Sequence, residues 1–134
     1  DGYKGRARLV QNLSAVTAAC LVVRKAVYES VGGMDEANLP VKFNDVDFCL
    51  RVMERGFWNL WTPFAELYHH ESASRGPEDT PEKQRRFQSE IAYMRSRWSH
   101  LLGNDPAYNP NLALNDYWPN LAAPRVKKPW RTKA

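Results

Sequence analysis

The chain has 134 residues, 43% of them hydrophobic and 25% charged, which supports one ordinary globular domain and excludes a chain too polar to bury a core. Residues 125–134 hold five of the 19 Lys and Arg and none of the 15 Asp and Glu, so the formal charge of +4 resides in the tail and the body is close to neutral. No nucleic-acid partner is expected, and the longest apolar run, residues 15–23, falls short of the ~20 residues of a membrane span.

The N-terminus Asp1-Gly2-Tyr3-Lys4 has neither an initiator Met nor a signal peptide's apolar stretch, as in a piece of a longer chain, and a cytoplasmic setting is expected. Cys20 and Cys49 lie inside apolar patterns with no second pair near them. That spacing predicts buried free thiols in a reducing compartment, not a disulfide framework or a zinc site.

Residues 14–24, S-A-V-T-A-A-C-L-V-V-R, have the continuous, partly β-branched apolarity of a central strand buried on both faces. Val27, Tyr28 and Val31 then recur at helical spacing until Gly32-Gly33 stops a short helix over residues 25–31. Residues 34–43 have no period and read as a loop. Beyond it Val46, Cys49, Leu50 and Met53 follow the i, i+3, i+4, i+7 pattern, with Asn44 as cap, Asp47 three residues on and Gly56 as stop, which predicts a helix over 45–55.

The aromatic-rich residues 57–61 and 64–70 read as two short strands around Thr62-Pro63, with His69 and His70 on opposite faces. Residues 71–79 have the composition of a polar loop. Thr80-Pro81-Glu82 gives an N-cap, a proline at the first helical position and an early acid, and Phe87, Ile91, Met94, Trp98, Leu101 and Leu102 form one stripe of a long helix ending at Gly103. The chain thus divides into a folded body, 1–104, and a Pro- and Asn-rich extended segment with a basic end, 105–134. The fold class is mixed α and β, a small sheet backed by an amphipathic helix and one long C-terminal helix.

Two constellations could carry chemistry. In Asn44-Asp45-Val46-Asp47 a carboxylate at a helix N-terminus is held ionised by backbone N–H groups and the dipole, as a general base requires, although ordinary helix initiation uses the same residues. Successive helical residues rotate by ~100°, so Asp45 and Asp47 cannot both face one substrate and one of them is structural. In His69-His70-Glu71, an imidazole at a strand end beside the loop containing Arg75 suits a divalent metal near a phosphate, or simply a surface histidine. A glycine-rich phosphate loop, an HExxH pair and a nucleophile elbow are all missing from the sequence.

Taken together, V-T-A-A-C-L-V-V-R-K, V-G-G-M-D-E, F-N-D-V-D-F-C-L-R and W-T-P-F-A-E-L-Y-H-H-E-S-A-S-R-G resemble, in order and spacing over residues 12–76, the C-terminal half of family 2 glycosyltransferases, nearest to bacterial members that build O-antigen and other surface polysaccharides. The resemblance implies part of a GT-A fold, of which the acceptor-binding half is present and the nucleotide-binding half with its DxD motif is absent. Asp45 matches the family's catalytic base for inverting transfer, with Asn44 where many members have Glu. His69, or His70 if the register shifts by one, matches a ligand of the divalent metal, Mn2+ or Mg2+. Ser74 and Arg75 match diphosphate contacts, Thr17 and Ala19 lie toward the donor sugar, and Asp35, Asp47 and Trp61 stand on the acceptor side.

The partners so implied are a nucleoside diphosphate sugar, a glycan or lipid-linked glycan acceptor at the inner face of the cell membrane, and the missing half of the same protein. The chain alone is then expected to be inactive and to self-associate through apolar surface left bare. The alternative is a non-catalytic carbohydrate- or protein-binding module using Trp58, Trp61 and Tyr68 as stacking surfaces.

Overall fold

The computed structural model describes residues 3–69, 80–114 and 120–126. Within them two three-residue strands, three α-helices and two 3₁₀ turns (Tyr3–Arg8 and Ala18–Cys20) make a mixed α and β structure. β1 (Gln11–Leu13) and β2 (Asn59–Trp61) pair antiparallel, Gln11 opposite Trp61 and Leu13 opposite Asn59. A two-stranded ribbon is marginal in water. This one is tied down by the buried Asn59 amide, which donates to the carbonyls of Ser14 (3.0 Å) and Cys49 (2.9 Å), and by the Trp61 indole, which donates to the Ala7 carbonyl (3.0 Å).

The central strand expected over 14–24 does not form. β1 ends at Leu13, and the chain tightens into the Ala18–Cys20 turn, where the Asp45 carboxylate accepts the Ala18 N–H and the Thr17 hydroxyl accepts the Ala19 N–H. Side-chain acceptors thus take amides that a sheet ladder would need. Ala15, Val16, Leu21 and Val23 pack on one core cluster, but Val22 is 95% exposed and Cys20, expected to be buried, is exposed.

The second predicted strand pair is also reduced. Only Asn59–Trp61 is a strand, while 64–69 runs exposed and unpaired among the described residues, so the proposed alternation of faces has no sheet to refer to. His70 and the loop 71–79 lie outside the described residues.

The helices follow the sequence more closely. α1 (Lys25–Ser30) ends at Gly32-Gly33, both at positive φ; a Cβ at Gly33 would sit 3.0 Å from the Tyr28 ring, so glycine is required by conformation and by space. α2 (Asn44–Glu54) begins one residue earlier than expected. Its N-cap is Phe43, in the left-handed region (φ 62°, ψ 3°) with no side-chain cap, so the capping expected of Asn44 is not found.

α2 is the hub of the packing. Leu50 meets Leu39, Met94 and Trp98 on one side, with Phe43, Val46, Met53 and Leu101 around them. Phe48, Cys49 and Val52 meet α1 and residues 15–23 on the other. α3 (Pro81–Leu102) starts as predicted, with Thr80 accepting the Lys83 N–H and Pro81 in the first turn, and leaves regular helical geometry at Trp98 (φ −113°, ψ 16°). After α3 the chain returns to the N-terminal region: Asp105 accepts the Ser14 hydroxyl and the Ala107 N–H, and Arg6 donates to the Ala107 carbonyl (3.3 Å).

Candidate functional site

Asp45 stands in the first turn of α2, half-buried. One carboxylate oxygen accepts the Val46 N–H (2.9 Å) and the other the Ala18 N–H (3.2 Å), which fixes the group between the helix N-terminus and the exposed turn Thr17–Cys20. An ionised carboxylate has about four acceptor positions. With two taken by amides, Asp45 keeps the capacity to accept a substrate hydroxyl's proton. Thr17 and Ala19, expected near the donor sugar, are on this same exposed turn, so the structure brings them to Asp45.

Asp47 points elsewhere. It is 0% exposed, with one oxygen accepting from Arg51 Nε (2.7 Å) and the other from Trp98 Nε1 (2.9 Å), and Arg97 Nη1 lies 3.6 Å away. Expected on the acceptor side, it is enclosed and joins α2 to α3. Trp61, also expected there, is half-buried with its indole committed to the Ala7 carbonyl.

Asp35 is reached by the same network. It accepts from the Tyr93 hydroxyl (2.7 Å) and from the backbone and side chain of Asn38, and Arg97 Nη1 stands 3.8 Å away while donating to the Tyr93 hydroxyl. Burial pushes the Asp35 carboxyl upward, but the hydrogen bonds from Tyr93 and Asn38 and the charge of Arg51 outweigh it and hold the group below its ordinary value. Burial and the bond to Asp35 raise Tyr93. Burial, helped by the nearby charge of Asp45, raises the Cys49 thiol against the opposing hydrogen bond to Val16.

His69 is exposed at the end of the described run, and Ser74, Arg75 and His70 lie outside the described residues. Among the described residues no group of three His, Cys, Asp or Glu side chains comes together that could hold a metal ion.

Sequence reasoning missed Glu90, Tyr93 and Arg97. Glu90 is 0% exposed, and its Oε1 accepts the N–H groups of Val41 (3.0 Å) and Lys42 (3.3 Å). The signal was present: Glu90 follows Phe87 by three and precedes Met94 by four, a charged residue inside the apolar stripe.

No family model matches the chain, and no solved structure matches it. It is 57% identical over 126 residues to an uncharacterized protein, y4gI, of Sinorhizobium fredii, covering 92% of this chain and 14% of that protein. It is 39% identical over 110 residues to the O-antigen biosynthesis protein RfbC of Myxococcus xanthus, covering 82% of this chain and 8% of that protein. Over 61 residues it is 34% identical to an N-acetylglucosaminyl-diphospho-decaprenol L-rhamnosyltransferase of Mycobacterium tuberculosis, covering 46% of this chain and 20% of that enzyme. The chain thus spans a seventh or less of the first two relatives, and the names of the latter two point to glycosyl transfer in polysaccharide and O-antigen biosynthesis. Among the described residues no helix is long and apolar enough to cross a membrane.

Proposed function

We propose that this chain is the acceptor-binding, catalytic-base half of an inverting glycosyltransferase of the family 2, GT-A type, which moves a sugar from a nucleoside diphosphate sugar to a glycan hydroxyl in polysaccharide assembly. The observation that carries this reading is the placement of Asp45, half-buried at the N-terminus of α2 and held by the amides of Val46 and Ala18 beside an exposed turn. The relatives named for O-antigen biosynthesis and rhamnosyl transfer support the same chemistry.

In this mechanism the donor sugar lies beside the Thr17–Cys20 turn, and an acceptor hydroxyl gives its proton to Asp45 as its oxygen attacks the anomeric carbon from the face opposite the departing nucleoside diphosphate. General-base help of this kind contributes ~10²–10⁴-fold. Ser74 and Arg75 meet the diphosphate, where a guanidinium offsets the charge that develops on the leaving group. A divalent ion would take His69 or His70 as one donor and the others from outside this chain, and would offset negative charge on the departing diphosphate.

The nucleotide-binding half is assigned to the remainder of a longer protein, as the small share of the relatives' length suggests. An apolar groove of about 340 Å³ between residues 21–24 and 57–60, bordered by Val22, Trp58 and Leu60, offers that half a surface to pack on.

The test is transfer from a panel of nucleoside diphosphate sugars to lipid-linked glycan acceptors by the full-length protein, with the 134-residue chain titrated calorimetrically beside it. Transfer by the full-length protein and silence from the chain are expected. Failure of every donor would remove the transferase reading, and tight donor binding by the chain alone would overturn the division into halves.

A further inference from the structure

We propose that Glu90 is a positioning residue for Asp45: from inside α3 its carboxylate clamps the backbone that enters α2, and so sets where the catalytic carboxylate stands. The proposal rests on the assignment of Asp45 as the base. Burying a carboxylate costs more than burying any apolar residue that could fill the stripe, so its presence at 0% exposure calls for a specific partner. That partner is the backbone of the loop, since Oε1 accepts the N–H groups of both Val41 and Lys42. Oε2 has no hydrogen-bond partner among the described residues, and Arg86 Nε lies 4.0 Å from Oε1.

The clamp acts next to a second constraint. Phe43 holds a left-handed conformation that side chains other than glycine adopt rarely, its ring stacks on Phe87 of α3 at 5.9 Å, and its carbonyl accepts the Asp47 N–H (2.9 Å). Upstream, Leu39 is buried against Met94 and Trp98, and Asp35 is held by Tyr93. α3 therefore grips the entering loop at Asp35, Leu39, Val41, Lys42 and Phe43, the last only two residues before Asp45. Releasing the Val41 and Lys42 amides lets Phe43 relax and turns the first residues of α2. Asp45 reaches across to Ala18 through a single 3.2 Å hydrogen bond, the contact that such a turn breaks first.

The experiment compares Glu90→Ala, Glu90→Gln, Asp45→Asn and a control, Val52→Ala in the opposite core cluster, in the full-length protein, each assayed at the same interval below its melting temperature. Amide exchange at Val41 and Lys42 is followed in parallel. A misplaced catalytic group costs on the order of 100-fold, so Glu90→Ala should lower kcat by that factor with the donor KM unchanged and the two amides exchanging faster. Glu90→Gln keeps a carbonyl acceptor and should recover about tenfold of the loss. Val52→Ala should leave kcat within a few-fold of the parent. An unchanged kcat in Glu90→Ala while Asp45→Asn is inactive would overturn the Glu90 assignment alone, as would a Val52→Ala loss equal to that of Glu90→Ala. Full turnover by Asp45→Asn would overturn the base assignment and this inference with it, even if the two amides remain sensitive to residue 90.

Discussion

Removing the Asp47 carboxylate should destabilise the chain's centre and not merely trim an acceptor contact. Asp47→Ala strands the Arg51 guanidinium, 10% exposed and paired through a 2.7 Å bond, and takes the acceptor from the Trp98 indole. Breaking a buried pair by removing one partner costs roughly 3–5 kcal/mol. For a domain of this size about 1 kcal/mol corresponds to ~3–5 °C, so the melting temperature should fall by roughly 10–20 °C. Asp47→Asn keeps an acceptor for Trp98 and loses the negative charge facing Arg51, for about 1.5–3 kcal/mol. Replacing the pair together, Asp47→Leu with Arg51→Met, should cost less than the sum of the single changes, because no charge is then left buried alone. Thermal unfolding by circular dichroism reads Asp47→Ala, Asp47→Asn, the double variant and its two single components. A melting temperature within about 2 °C of the parent in Asp47→Ala would refute the reasoning and return Asp47 to the acceptor surface.

Gly33→Ala should destabilise by more than Gly32→Ala, since both glycines have positive φ but only at Gly33 would the new Cβ meet the Tyr28 ring; urea unfolding of the two variants measures the difference. Cys20 should alkylate in the folded chain while Cys49, buried with its thiol raised, reacts only after unfolding, as mass spectrometry with a timed iodoacetamide quench would reveal. Asp35 has a folded-state value below its ordinary 3.8, so its stabilisation is present above that pH and is lost as pH falls through the lower folded value; Asp35→Asn should flatten the acid limb of the melting temperature against pH. The isolated chain, with Val22 and Trp58 bare (95% and 77% exposed), should show a mass by light scattering that rises with concentration, and a monomeric mass throughout would count against an unpartnered apolar face.

The helices were legible because their signals are local. Thr80-Pro81 fixes the start of α3 and Gly32-Gly33 the end of α1, whatever packs around them. Residues 14–24 misled because a continuous apolar run promises a buried strand only where strands flank it. Here the carboxylate of Asp45 and the hydroxyl of Thr17 bend the backbone, and one face of the run stays bare. The exposed stretch 64–69 failed for the same lack of a partner strand among the described residues.

At the site, helical rotation correctly separated the two acids, and the structure turns Asp45 to the exposed turn and Asp47 inward. What spacing could not supply was Glu90, whose two amide partners lie nearly fifty residues upstream. Long-range side-chain to backbone bonds leave only an indirect trace, here one acid on an apolar face.

The central claim is that Asp45 removes a proton from the acceptor, and single-turnover transfer by Asp45→Asn in the full-length protein tests it most directly. Asn keeps a carbonyl acceptor for one of the two amides, turns its NH2 toward the other, and loses the base. The rate should fall ~10²–10⁴-fold while donor affinity stays that of the parent and the melting temperature drops by no more than the loss of one half-buried hydrogen bond allows, a few degrees. Transfer at the parent rate by a folded Asp45→Asn variant would contradict the claim and leave the carboxylate a helix-capping group.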